Sequence, residues 1–113
     1  MKKNKLSNSK LNQIICEIVA INRGWKVAKD LFGENADLSV SLRELKNSLQ
    51  IRLLRTYQDQ VYIVFADDSE DEDLFSIRID DESVERSDAE HLPVRVAKQY
   101  FTEEEIGKFL RNA

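Results

Sequence analysis

The sequence predicts an α+β fold, in which helices precede and follow a small antiparallel sheet. Apolar residues recur at helical spacing over residues 11–32, and they alternate with other residues in short runs over residues 50–80. Near the C-terminus, residues 102–105 (TEEE) have the form of a capping box, which marks the start of a helix. Helix and strand signals occupy separate stretches of the chain, and this segregation is typical of the α+β class.

The first helix is expected to follow a flexible basic leader, residues 1–7, and to open a single domain over residues 8–113. Its main apolar stripe is Leu11, Ile14, Ile15, Ile18, Ile21, Trp25, Ala28 and Phe32. A second, weaker stripe on roughly the opposite side is Cys16, Ala20, Val27 and Leu31. A helix with two apolar sides is either sandwiched or changes face midway, and Gly24 is the expected point of a kink or break. Gly33 is the expected C-cap.

Two further helices are predicted from capping boxes. Residues 41–44 (SLRE) place a serine three residues before a glutamate, which predicts a short second helix over residues 42–49. Residues 102–105 predict a C-terminal helix over residues 103–111 that closes the fold.

The central stretch predicts three short strands that form an antiparallel meander. The alternating residues are Ile51 and Leu53 in the first strand, residues 61–66 in the second and residues 75–79 in the third. Residues 80–92 are predicted to be mostly loop. Residues 93–100 fit a fourth strand as well as a helix, so the sheet has three or four strands.

Composition restricts the class of protein. A chain of 113 residues is long enough for one core. Its single cysteine excludes an internal disulfide, which suits a reducing compartment. Polar residues at 12, 13 and 17 interrupt the apolar part of a would-be signal peptide, and no apolar run approaches the length of a membrane span. A cytoplasmic protein without membrane contact is therefore expected.

Charge is distributed unevenly along the chain. The net charge of −4 combines a balance of +6 over residues 1–56 with a balance of −10 over residues 57–113. Residues 67–90 hold 12 carboxylates against two arginines. An EF-hand loop counted from Asp67 fails, because Glu72 stands at the position that requires glycine and Arg78 at the position that requires glutamate. The acidic stretch is therefore interpreted either as a solvated loop or as a surface that docks onto a basic protein.

The predicted partner-binding surface is acidic throughout. Its residues are Asp67, Asp68, Glu70, Asp71, Glu72, Asp73, Asp80, Asp81 and Glu82.

No catalytic motif is found in the sequence. His91, the only histidine, is expected in an acidic loop without a second histidine or a nearby cysteine. Cys16 is interpreted as a small core residue. The three glycines are isolated, so the sequence lacks a phosphate-binding loop. We therefore expect no enzymatic activity, no cofactor and no metal site.

The sequence thus predicts a small protein-binding module, specifically an inhibitor of the immunity-protein or antitoxin kind that presses its acidic surface onto a basic partner. One alternative is a nucleic-acid-associated accessory protein that uses the basic N-terminal half. Its candidate contacts are Lys2, Lys3, Lys5, Lys10, Arg23, Lys26, Lys29, Arg52 and Arg55, with Tyr57 and Tyr62 for stacking. Another alternative is an adaptor subunit that forms a dimer through the second apolar stripe of the first helix.

Overall fold

The computed structural model describes residues 3–66, 73–79 and 90–111. Within these residues the helices are α1 (Lys3–Phe32), α2 (Asp37–Thr56), α3 (Val94–Tyr100) and α4 (Glu103–Phe109). The strands are β1 (Val61–Phe65), β2 (Leu74–Ile79) and β3 (His91–Pro93). This content confirms the α+β class.

The chain divides into two compact units, Met1–Gln50 and Ile51–Ala113. We call them the helical unit and the sheet unit. The boundary falls within α2, which begins in the helical unit and ends in the sheet unit. The expectation of a single domain over residues 8–113 stays a prediction.

The helical unit is an antiparallel hairpin of α1 and the first part of α2. Gly33 ends α1 as predicted, with a φ of 98° that favours glycine and an N–H that donates to the carbonyl of Lys29. Ser39 Oγ donates a 2.7 Å hydrogen bond to the Gly33 carbonyl and so secures the turn. The predicted start of the first helix is wrong, because α1 begins at Lys3 and already includes most of the expected leader. The helix also continues past Gly24 without a break.

The short second helix and the first strand of the predicted meander are both wrong, because α2 spans residues 37–56. Ser41 and Glu44 lie inside this helix and do not cap it. Ile51, Leu53 and Leu54 are buried while the arginines between and after them are exposed, a pattern that fits a helix as well as a strand in so short a run. The sequence has neither glycine nor proline between residues 34 and 92, so no residue of that kind stops the helix before residue 56.

The sheet of the sheet unit has the strand order β1-β2-β3, with antiparallel neighbours. Val61 pairs with Ile79 and Phe65 with Phe75, so the second and third predicted strands are confirmed as β1 and β2. Strand β3 pairs with β2. Its first two residues belong to the stretch 80–92, which was predicted to be mostly loop. The buried side chains of this unit include Val61, Ile63, Phe75, Ile77, Leu92, Phe101 and Phe109.

Two helices follow β3. The ambiguous residues 93–100 form α3, with Pro93 as its N-cap at a φ of −60°. The predicted capping box of α4 is confirmed, because Thr102 Oγ1 accepts from the Glu105 N–H and Glu105 Oε1 accepts from the Thr102 N–H. Helix α4 ends at Phe109, two residues earlier than predicted. The Arg111 N–H instead donates to the Ile63 carbonyl, and this bond to β1 draws the chain out of the helix.

Candidate functional site

The predicted acidic surface falls mostly outside the described residues. Of its nine members only Asp73 is described, and it is exposed. The other eight are Asp67, Asp68, Glu70, Asp71, Glu72, Asp80, Asp81 and Glu82. The Asp73 carbonyl accepts a 3.1 Å hydrogen bond from the Val94 N–H, so the backbone is fixed here at the start of β2.

The two acidic segments leave the sheet from opposite ends of β2. Residues 67–73 connect β1 to β2, whereas residues 80–90 connect β2 to β3. The two ends of β2, Leu74 and Ile79, are five residues apart, which corresponds to about 17 Å in an extended strand. The other end of residues 80–90 joins β3 at His91, which pairs with Ser76 in β2. The acidic surface stays a prediction, because eight of its nine residues lie outside the described part of the chain.

One carboxylate of the acidic stretch is bound internally. Glu90 accepts a hydrogen bond from the hydroxyl of Ser76, and that hydroxyl accepts from Arg78 Nε at 3.1 Å. Arg78 also lies 3.9 Å from the Glu90 carboxylate. One of the two arginines in the acidic stretch therefore neutralises one of its 12 carboxylates. His91, expected in a loop, lies beside this group in β3, opposite Ser76 in register.

Two residues of the nucleic-acid alternative, one basic and one aromatic, already have partners within the protein. Arg55 donates to the Tyr100 carbonyl at 2.8 Å and lies 5.1 Å from the ring centroid of Phe101. Tyr62, a candidate for base stacking, carries the guanidinium of Arg111 over its ring at 4.2 Å. One face of this ring is therefore occupied.

A buried lysine joins the two helices of the helical unit. Lys46 in α2 is 8% exposed, and its Nζ donates to Asn22 Oδ1 in α1 at 2.8 Å. The ammonium also lies 5.4 Å from the ring centroid of Trp25, and Lys29 lies 4.6 Å from the same ring. Burial, assisted by the positive charge of Lys26, lowers the pKa of Lys46 from 10.5 to about 8.

This lysine was missed by the sequence analysis, because lysine is usually exposed. The spacing of the buried polar residues of α2 is the sequence signal that could have revealed it. The buried polar residues Ser39, Lys46 and Gln50 follow one another at intervals of seven and four, which is the period of a helix face. With 8% exposure the amine is poorly accessible to a substrate, and its bonds tie α2 to α1.

Exposed apolar side chains are concentrated in the helical unit. Seven large apolar residues are exposed in the described part of the chain, and five belong to this unit: Val27, Leu31, Phe32, Leu38 and Leu45. Val27 and Leu31 are 57% and 69% exposed. Cys16 and Ala20 are exposed too, so the whole second stripe faces solvent. The interpretation of Cys16 as a core residue is therefore wrong, and the stripe is not sandwiched.

The second helix extends this apolar surface. Leu38 and Leu45 are both exposed and lie seven residues apart, with the half-buried Leu42 between them. Leu42 Cδ1 lies 3.9 Å from the position that a Cβ on Gly24 would occupy, so the stripes of the two helices adjoin. We define the hairpin apolar face as Ala20, Val27, Leu31, Leu38, Leu42 and Leu45. Contiguous apolar surfaces of this kind mark interaction sites more often than isolated exposed residues do.

The described residues also bear on two other classes of site. No helix among them combines the length and the apolar content that crossing a membrane requires. In that same part of the chain, histidine, cysteine and carboxylate side chains form no group of three or more that would hold a metal ion.

Comparison with known proteins adds no relative. No family model matches this chain, and no curated protein or solved structure matches it significantly.

Proposed function

We propose that this protein is a protein-binding module, and specifically an inhibitor that docks acidic segments of its sheet unit onto a basic partner protein. The observation that carries the proposal is the density of negative charge around β2. Twelve carboxylates lie within residues 67–90, and the sheet unit as a whole has 16 carboxylates against eight basic residues. Such a field accelerates the encounter with a basic surface and orients the partner.

The described contacts of three arginines support the proposal. Arg78 is paired with Glu90. The guanidinium groups of Arg55 and Arg111 lie over aromatic rings. The sheet unit therefore has an excess of negative charge in its sequence, and several of its basic side chains already contact other groups of the protein. A cytoplasmic location forms part of the proposal, because the single cysteine suits a reducing compartment.

The attachment of the acidic segments to opposite ends of β2 gives the proposal two testable versions. A small partner contacts one segment, whereas a partner that spans the strand contacts both. Two pairs of charge reversals distinguish these cases: Asp71→Lys with Asp73→Lys before β2, and Asp81→Lys with Glu82→Lys after it. The matched control is Glu44→Lys with Asp59→Lys, which makes the same change in charge at exposed carboxylates elsewhere.

The partner is first captured from host lysate at low and at moderate salt, with a nuclease-treated control, and identified by mass spectrometry. Association rates are then measured for the wild type and the three double variants. We expect at least one acidic pair to slow association by roughly tenfold at low ionic strength, with a smaller effect of the control pair. An unchanged association rate for both acidic pairs contradicts the proposal. Capture of nucleic acid, or of proteins lost on nuclease treatment, favours the accessory-protein alternative instead.

A further inference from the structure

We propose that two copies of this chain associate through the hairpin apolar face, with each helix of one hairpin packed antiparallel against the same helix of the other. The result is a four-helix arrangement with twofold symmetry. The proposal rests on the exposure of the face, on the charge balance of residues 11–50 and on the agreement of two independent registers. It uses different residues from the acidic segments and does not depend on the inhibitor proposal.

The charge around the hairpin apolar face is balanced. Residues 11–50, which contain the whole face, have five basic and five acidic side chains. The first ten residues add four lysines, so the helical unit as a whole has a net charge of +4. The segment that contains the face therefore presents no net repulsion to the same segment of a second copy, and surfaces near zero net charge associate most readily.

The edge of the α1 stripe is complementary to itself. Arg23 and Asp30 are both exposed and lie seven residues apart, so they occupy the same side of the helix two turns from each other. A twofold axis through the level of residues 26–27 places each Arg23 opposite Asp30 of the second copy. The same axis places Val27 beside its own copy at the centre of the contact, where burial of apolar surface contributes most.

The exposed leucines of α2 are also arranged symmetrically about a twofold axis. Leu38 and Leu45 have their midpoint at the level of residues 41–42. A twofold axis at that level places each Leu38 against Leu45 of the second copy, so both pairs of exposed leucines are buried together. An isologous contact requires this reciprocity, in which residue i meets residue j and residue j meets residue i.

The two registers coincide in the hairpin that the structure shows. The hydrogen bond between Lys46 and Asn22 sets these residues level in the antiparallel pair. Moving four to five residues along α1 from Asn22 reaches residues 26–27, and moving the same distance back along α2 from Lys46 reaches residues 41–42. Leu42 Cδ1, which lies 3.9 Å from the position that a Cβ on Gly24 would occupy, is within about one helical turn of this level. One axis therefore satisfies the charge pairs of α1 and the leucine pairs of α2.

Sedimentation equilibrium of the full chain tests the proposal. The wild type is expected to form a dimer, and Val27→Asp is expected to raise the dissociation constant by about 100-fold or more, because two unpaired carboxylates are brought to the symmetry axis. Tyr100→Asp is the control, since it introduces the same charge at an exposed apolar residue outside the hairpin. Far-ultraviolet circular dichroism verifies that both variants fold.

Charge exchange tests the antiparallel register. Arg23→Glu and Asp30→Lys each place like charges opposite one another in two symmetric contacts, and each is expected to weaken the dimer by about tenfold. The double variant R23E/D30K restores opposite charges and is expected to bind within about threefold of the wild type. A wild type that stays monomeric up to about 1 mM overturns the proposal. So does a dimer that Val27→Asp leaves unchanged, or a double variant that is weaker than both single variants.

Discussion

The helical unit and the sheet unit differ in the kind of surface that each offers. The helical unit carries five of the seven exposed large apolar side chains of the described residues, and its residues 11–50, which contain the hairpin apolar face, have no net charge, although the whole unit has +4. The sheet unit carries 16 of the 21 carboxylates, and its exposed large apolar residues are Phe65 and Tyr100. A neutral apolar surface supports association that depends on shape, whereas an acidic surface supports association that depends on ionic strength. A small chain that has both is suited to two separate contacts.

Burial also differs between the units. The buried positions of the sheet unit are mainly apolar, whereas those of the helical unit include Asn22, Ser39, Lys46 and Gln50. A polar interior is less stabilising than an apolar one of similar size, but its hydrogen bonds restrict how two helices can pair. The Lys46–Asn22 bond fixes the level of α2 against α1, and the proposed symmetry axis depends on that level.

The largest effect is expected for a buried aromatic ring of the sheet unit. Phe75→Ala removes a side chain that is 2% exposed and leaves a cavity, which costs roughly 3–5 kcal/mol of unfolding free energy. Phe65 is the matched control, because its ring lies 5.1 Å from that of Phe75 yet is 59% exposed. For Phe65→Ala we expect a loss of about 1 kcal/mol. Urea denaturation followed by tyrosine absorbance reports on this unit, which contains all three tyrosines; equal losses would contradict the described core.

A comparable effect is expected from pH in the helical unit. The folded-state pKa of Lys46 is lowered from 10.5 to about 8, so between these pH values the unfolded chain binds more protons than the folded chain. Stability therefore rises as the pH rises through this window, by about 3 kcal/mol in total, and the cost of the charged amine is fully present below it. Lys46→Met removes this contribution to the slope. Urea denaturation of both proteins between pH 7 and 10.5, followed by the fluorescence of Trp25, measures the difference.

Lys26→Gln sharpens this test. The positive charge of Lys26 contributes to the lowered pKa of Lys46 as the smaller of two causes. Its removal is therefore expected to raise the lower end of the pH window, and so to narrow the window without abolishing it. A wild type and a Lys46→Met variant with parallel pH profiles would contradict the burial of this amine.

A smaller effect distinguishes the two serine or threonine motifs, one in each unit. Thr102→Ala removes a side chain that accepts from the Glu105 N–H, and we expect a loss of about 1 kcal/mol. Ser41→Ala is the matched control, since Ser41 lies inside α2, where alanine is favoured by about 0.5 kcal/mol. Thermal unfolding of the two variants gives changes of opposite sign. A destabilised Ser41→Ala protein would indicate that α2 begins at residue 42.

The smallest effect separates the two proposed contacts. Reversal of Asp81 and Glu82 to lysine changes the acidic stretch and leaves the hairpin apolar face intact. We expect the dissociation constant of self-association to stay within about threefold of the wild type at 0.15 M ionic strength, where long-range effects of charge are screened, because neither residue belongs to the hairpin apolar face. Sedimentation equilibrium measures it. A loss of the dimer would mean that the acidic residues belong to the same contact.

The two capping motifs show which helix starts can be predicted from local sequence. Residues 102–105 and residues 41–44 have the same pattern, yet only the first is preceded by an extended residue, Phe101, that ends a helix. Residues 41–44 follow Asp37, which lies in the first turn of a helix that has already begun. The capping pattern involves four residues only, whereas the start of a helix also depends on whether the preceding residues are already helical.

The first strand of the predicted meander was misassigned because its local pattern also fits a helix. Ile51 and Leu53 alternate with arginine as strand residues do, but Ile51 and Leu54 also satisfy a helical spacing, and the helix extends through them because no breaker intervenes. Strand β3 is three residues long and forms by pairing with β2, a contact that local sequence does not reveal. Gly33, β1, β2 and the start of α4 were predictable because each has its own local signal.

The candidate sites also differ in how much of each could be predicted from the sequence. The second stripe of α1 was visible as a spacing, but only the structure shows that Val27 and Leu31 are exposed and that Leu38 and Leu45 extend the same surface. Lys46 was missed, because its burial depends on the pairing of two helices and not on its neighbours in sequence. The acidic surface stays a prediction, since Asp73 is its one described member.

The most direct test of the difference between the two units is the self-association of the full chain and of Val27→Asp, measured side by side by sedimentation equilibrium. We predict a dimer for the wild type and a folded monomer for the variant. A wild type that is monomeric, or a dimer that the new carboxylate leaves intact, would contradict the assignment of the hairpin apolar face as a surface for a second copy.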